Sequence, residues 1–503
     1  MQSKRDQVQA HGFIMSRLAA GMLLAEPDAP DTPLARTTRG VFIGVLIAVL
    51  VAAGAVVYGL ISPGGKTSWK SQGNLVVNKE TGARYLYVDG RLRPVRNYAS
   101  ARLIAGSGLT TSTVATASLR GTPVGQPIGI PGAPESVPSA DNLDRSTWLV
   151  CSTTGARPSD ARTTLVAGSP LEGTGVGAGQ GIVVEGPDHT TYLVWQGSRL
   201  RLDKDSGASV SLGYGSVTPR PVSAAFLNAL VAGPDLVAPG VPERGAAGPS
   251  LDGRASATGQ VFQAEVPGSD EHPYYLLHRE GLVPVTATQA ALVLGDPHTR
   301  DTAYAGQTPR AVTLSADALK QHLAPGAEGR SPVTEGLPIE PPAPASVPAG
   351  ESVCTGVEPG ADGTKVSSLL VATDALSPVA QPSPDVARAC LRVDAVVVRP
   401  GRATLVRALG AGGTTMGTTT YLVDDTGTKF RVPSAKALES LGYGEGQVTA
   451  LPSPLLSMLP SGPSLDPDAA AGVTVPTVQT QCPSDEKAGA SRPKASGSSQ
   501  GEG

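Results

Sequence analysis

Aromatic side chains are scarce in this chain, at 4% of 503 residues. A core here must rest mainly on Val, Leu and Ala. Charge of one sign is lacking too: 40 Lys and Arg face 43 Asp and Glu, for a net charge of -3. That balance removes the electrostatic ground for nucleic-acid binding. Six histidines are scattered at positions 11, 189, 272, 278, 298 and 322, without HExxH spacing. The four cysteines, 151, 354, 390 and 482, form no CxxC and are not flanked by histidine, so zinc has little support. GxSxG and paired-carboxylate signatures are missing. The nearest approach to a phosphate loop is SPGGKT at 62–67, but GxxxxGK[ST] needs glycine where Leu60 stands. The Gly-rich runs at 172–181 and 410–417 have no phosphate-loop context and suit turns. No catalytic residue, cofactor or metal ligand is expected.

Long hydrophobic runs are also lacking, with one exception. Residues 41–61, from Val41 to Ile61, carry no charge. A helix crossing about 30 Å of hydrocarbon needs roughly 20 such residues. A cleaved signal has an apolar stretch of only roughly 7–15 residues near its start. An uncleaved anchor is the reading. Arg36 and Arg39 border one edge and Lys66 and Lys70 the other. The modest positive bias places the N-terminal tail inside and the large part outside. Gly40 and Gly44 form a GxxxG pair, which is commonly incidental in a Gly/Ala-rich span.

In the tail, residues 7–25 contain no proline and repeat apolar residues at three-to-four spacing, which predicts an amphipathic helix. It suits either a membrane surface or a partner helix. Pro27, Pro30 and Pro33 break helix before the span.

Behind the span, Gly (61) and Pro (45) favour short strands and turns. Four segments share hairpin grammar: Tyr85-Leu86-Tyr87 before RLRPV, Tyr192-Leu193-Val194 before RLRL, Tyr275-Leu276-Leu277 before GLVPV, and Tyr421-Leu422-Val423 before TKFRV. Helix-forming stretches follow, such as 224–231 and 434–441. The second and fourth segments run in one register. Tyr192 matches Tyr421, Leu212-Gly213-Tyr214-Gly215 matches Leu441-Gly442-Tyr443-Gly444, and Gly233-Pro234 matches Gly462-Pro463. The first and third do likewise, Tyr85 with Tyr275 and Pro94 with Pro284. This is an internal duplication with two units per half. Repeats that cannot each bury a face stack on neighbours or on a shared centre.

Cys151 and Cys354 occupy equivalent places between the two units of each half, each followed by an apolar run (TTLVAG and SLLVAT). Four cysteines allow three pairings. Symmetry favours Cys151 with Cys354; a second pair, Cys390 with Cys482, is not compelled by spacing. Outside a membrane an even count suits disulfides. Residues 122–146, 239–260 and 329–352 read as linkers, and the chain after about Asp466 as disordered.

The opening QSKRDQVQAHGFIMSRLAAGMLL, the single span, YLYVDGRLRPVRNYASARLI, TWLVC and LNALVAGPDL together resemble the EccB family. These are the single-span membrane components of actinobacterial type VII (ESX) secretion systems. The resemblance covers the chain to about residue 465. It implies a plasma-membrane protein with a cytoplasmic N-terminus and an elongated extracytoplasmic body. It also implies a core disulfide between Cys151 and Cys354, dimers or higher oligomers, and assembly with the FtsK-like ATPase EccC, the membrane proteins EccD and EccE, and the mycosin protease. Family members are often labelled ATPases, a label no motif here supports.

The expected fold is mainly β with short helices (α+β), an N-terminal transmembrane helix, and a β core with four repeat domains in pseudo-twofold arrangement. The expected parts are a tail (1–40), the span (41–61), repeats (70–121, 181–238, 258–328 and 399–465), core segments (122–180 and 345–398) and a disordered tail (466–503). The expected function is a structural subunit shaping the outer side of a protein-export channel. The alternatives are an ATP hydrolase, a cell-wall hydrolase, or a cell-wall-binding module.

Overall fold

Short aromatic and β-branched runs broken by Gly and Asp form most of the secondary structure. The computed structural model describes residues 4–25, 33–61, 67–154, 160–265, 272–360, 363–377, 379–383, 386–410, 415–478 and 482. It divides into two units: Met1–Pro94 with Thr110–Gln126, and Val95–Leu109 with Pro127–Gly503.

The first unit holds a helix at Lys4–Leu24 and a second at Pro33–Ile61. Pro33 opens the second, where its missing N–H costs nothing. Within it, Thr37–Tyr58 is long and apolar enough to cross a membrane. The unit also holds a sheet ordered Arg91–Pro94, Arg84–Val88, Asn74–Asn78, Thr110–Val114. The first three strands are antiparallel, and the last runs parallel to Asn74–Asn78. Asp89 and Gly90 turn the hairpin with φ of 51° and 74°, the left-handed pair a tight hairpin requires. Trp69 is buried, its ring edge-on to Tyr87 at 5.5 Å.

In the second unit three further sheets repeat that strand order. One consists of Gln180–Glu185, Thr191–Trp195, Ser198–Arg201 and Arg220–Pro221, with two short additions, Val231–Ala232 and Ala343–Pro344. The next consists of Val261–Ala264, Tyr274–His278, Gly281–Val285 and Val312–Leu314. The last consists of Thr404–Leu409, Thr415–Val423, Lys429–Val432 and Thr449–Pro452. Short helices accompany the hairpins and begin on side-chain caps. Asn97, Ser223, Thr286 and Ser434 each accept the N–H three residues on. Each cap satisfies a donor that a helix start would otherwise leave open.

A fifth, six-stranded sheet is ordered Ala395–Val397, Arg162–Val166, Trp148–Thr153, Glu351–Gly360, Gly363–Ala372, Thr174–Gly175. One face buries Trp148, Val150, Leu165, Val353 and Val357 together with Ile182, Val184 and Phe226 from the Gln180 sheet region and Val406, Val423 and Leu451 from the Thr404 sheet. The other face buries Leu149, Cys151, Val166, Cys354, Val371 and Val397. Strands buried on both faces read as near-continuous apolar runs, as TWLVC does.

One expectation needs correction. Order does not stop at Asp466: Pro467–Ala471 is a helix, its start capped by the Asp466 carboxylate and its end by Gly472 at φ 81°. Ala470 is buried, and Ser464 N donates to Thr477 O. The D-P-D-A-A-A-G stretch is itself a start-and-stop signal.

Candidate functional site

The six-stranded sheet has a seam at its centre. Trp148–Thr153 pairs antiparallel with Glu351–Gly360, and Cys151 lies directly opposite Cys354. Their Sγ atoms are at disulfide distance, 2.04 Å, and both residues are fully buried. Each strand belongs to its own hairpin, Trp148–Thr153 with Arg162–Val166 and Glu351–Gly360 with Gly363–Ala372. The outer strands are exchanged. Thr174–Gly175, which follows the first hairpin, pairs with the second. Ala395–Val397, which follows the second, pairs with the first.

The linkers cross in the same way. Ala343–Pro344 runs parallel to Gln180–Gly181, and Leu143 bridges in parallel to Ala403. Tyr214 Oη donates to Pro342 O at 2.7 Å, and Tyr443 Oη donates to Pro138 O, also at 2.7 Å. These are the two tyrosines of the duplicated LGYG. Burial pushes the Tyr214 hydroxyl up to about 12 and raises that of Tyr443 further, so both are protonated donors at neutral pH.

Three ties have no symmetric counterpart among the described residues. Asp144, almost fully buried, accepts Arg399 Nε at 2.9 Å and Arg402 Nε at 2.9 Å, and also the Arg399 Nη2. Hydrogen bonding to Asp144 holds the Arg399 guanidinium above its usual range. Cys390 joins Cys482, 2.06 Å between sulfurs, both residues exposed. Lys429 is the third: its Nζ donates to Leu456 O, and burial depresses it to about 8. Sequence reading missed the Asp144 cluster, because nothing local links a carboxylate to arginines over 250 positions along.

Val41 and Ile61 lie on the single helix Pro33–Ile61, and Val41 is exposed. Residues 62–66 of the loop resembling a phosphate loop lie outside the described residues, as do 411–414 of the second Gly-rich run. His189 lies 2.6 Å from Glu185 on an exposed turn, and His278 ends a strand half-buried, with desolvation lowering its pKa. Among the described residues no three His, Cys, Asp or Glu side chains cluster to hold a metal ion. What the arrangement can do is mechanical: it fastens two halves of a β body at one seam.

Residues 1–477 match the family model "Type VII secretion system ESX-1, transport TM domain B". The ESX-3 secretion system ATPase EccB3 of Mycolicibacterium smegmatis is 30% identical over 489 residues, covering 92% of this chain and 89% of that protein. The ESX-1 secretion system ATPase EccB1 of Mycobacterium tuberculosis is 27% identical over 477 residues, covering 92% and 93%. The solved EccB3 dimer from the ESX-3 core complex superimposes with a TM-score of 0.62 at 25% identity, over 79% of this chain and 99% of that one. A chain of the periplasmic assembly from the ESX-5 inner membrane complex gives 0.62 at 25% identity, over 85% and 100%. By that near full-length match, spanning the apolar helix and the β body alike, the chain belongs to the EccB family of type VII (ESX) secretion membrane components.

Proposed function

We propose that this protein is a non-catalytic structural subunit of a type VII secretion membrane complex. The observation that carries this reading is the similarity of one chain, over nearly its whole length, to subunits solved within ESX inner membrane complexes. In it the tail stays in the cytoplasm, residues 41–61 cross the plasma membrane, and the body stands outside. There it dimerises, or forms higher oligomers, and shapes the outer side of the export channel with an EccC-type ATPase, EccD, EccE and a mycosin protease. The four sheets of shared strand order act as repeats, at 70–121, 181–238, 258–328 and 399–465. The core is built from 122–180 and 345–398, fastened by Cys151 and Cys354.

Affinity purification of the tagged full chain from detergent-solubilised membranes tests this. A large complex containing an FtsK-like ATPase supports the reading; recovery of the chain alone overturns it. The relatives' names supply a second reading, ATP hydrolysis. ATP turnover by the purified chain, abolished in Lys66→Ala, would establish that reading instead.

A further inference from the structure

The sheet nearest the span has a charge unlike the rest of the chain. Residues 67–94 and 110–126 carry six cationic side chains (Lys70, Lys79, Arg84, Arg91, Arg93, Arg120) and two carboxylates (Glu80, Asp89), whereas the whole chain is net -3. Five of the six cations are exposed, and Arg93 is partly so. Lys70, Lys79, Arg91, Arg93 and Arg120 take part in none of the ion pairs among the described residues. One of the two carboxylates is already engaged: Glu80 accepts Thr116 N at 2.9 Å and Thr116 Oγ1 at 3.0 Å, bonds that hold its pKa low. Strand register places Arg84, Arg91 and Arg93 on one side of the sheet. Val77 opposes Arg84, Leu86 opposes Arg93, and Val88 opposes Arg91. Trp69, Tyr85, Tyr87 and Leu92 pack on the other side, while the buried Leu75 and Leu86 share the arginines' side, leaving Arg84 and Arg91 exposed around them.

The chain limits how far this charge can lie from the bilayer. Trp69, already packed into the sheet, comes eight residues after Ile61, the last residue of the spanning helix. At about 3.3–3.6 Å per extended residue the sheet starts no more than about 29 Å from the helix end. A tether of this length lets the cations reach the headgroup layer, where their attraction to anionic lipid acts within about 8 Å at physiological salt.

We infer that this sheet is a lipid-docking module: its exposed Lys and Arg side chains seat on anionic phospholipid headgroups beside the protein's own span. The inference rests on the reading of residues 41–61 as a membrane anchor. Docking at a second point, besides the helix, fixes the tilt of the first sheet over the bilayer.

The test uses the full chain in nanodiscs, either of phosphatidylcholine or of equal parts phosphatidylcholine and phosphatidylglycerol. Arginines are labelled with phenylglyoxal and read by peptide mass. The expected result is several-fold slower labelling of Arg91 and Arg120 in the anionic discs, restored by high salt, with exposed Arg300 unchanged. In Arg91→Gln/Arg93→Gln/Arg120→Gln, acetylation of Lys70 and Lys79 should lose its dependence on anionic lipid. Equal labelling of Arg91 and Arg120 in both disc types, with the chain incorporated, overturns the docking inference alone. Failure of the chain to co-elute with discs overturns the anchor reading beneath it.

Discussion

The two halves of the body, one around Cys151 and one around Cys354, use the same parts and differ in how firmly they are tied. Each contributes a hairpin to the central sheet, gives its outer strand to the other half, and bolts an LGYG tyrosine onto the other half's linker. The Asp144 cluster with Arg399 and Arg402 ties the first half's linker to the second half with no counterpart in the opposite sense among the described residues, and the second half alone carries the Cys390–Cys482 bridge. The exchanged strands make neither half self-sufficient, so ties added to one half also secure the other.

Removing the seam should break this arrangement most. Cys151→Ala/Cys354→Ala opens a closed loop of 203 residues. Loop entropy sets the loss at about 5 kcal/mol, read as a shift in denaturation midpoint. The sites differ in access, since Cys151 and Cys354 are fully buried while Cys390 and Cys482 are exposed. A mild reductant followed by alkylation should therefore label Cys390 and Cys482 first. Next in size is Asp144→Ala, which strands two guanidinium groups. The loss should be about 2 kcal/mol, less than for a fully buried pair because both arginines reach water.

The turn glycines sharpen the comparison. Gly197, at φ 76°, faces Val366 so closely that an added Cβ would lie 2.1 Å from its Cγ1, whereas the corresponding Gly427, at φ 72°, would meet Val396 at 3.0 Å. Gly197→Ala should cost more than Gly427→Ala, about 3 against about 1 kcal/mol, by thermal or chemical melting. The smallest effects belong to the tyrosines: Tyr214→Phe and Tyr443→Phe should each lose about 1 kcal/mol. Equal losses would support equivalent bolts, and a large inequality would break the equivalence.

Much of the fold was legible because hairpins announce themselves locally. Tyr-Leu-Tyr before Asp89-Gly90, or Tyr-Leu-Val before Asp-Thr-Gly, states both strand and turn in a few residues. The span was legible because only one run is long enough. The crossing was not. Thr174–Gly175 and Ala343–Pro344 are two-residue strands with no periodicity, and they pair with residues far away in sequence. Pro138 and Pro342 accept through backbone carbonyls, which every residue has. The Asp466-capped helix was legible in principle from its D-P start and Gly stop, but lay within a tail of disordered composition.

Interlocking of the halves is the central claim, and hydrogen exchange tests it most directly. In the folded Cys151→Ala/Cys354→Ala variant, amide protection should be compared for Thr191–Trp195 in one half and Thr415–Val423 in the other. Exchanged strands predict that both stretches lose protection together and by the same factor. Loss confined to one stretch, with the other still protected as in the wild type, would contradict the account.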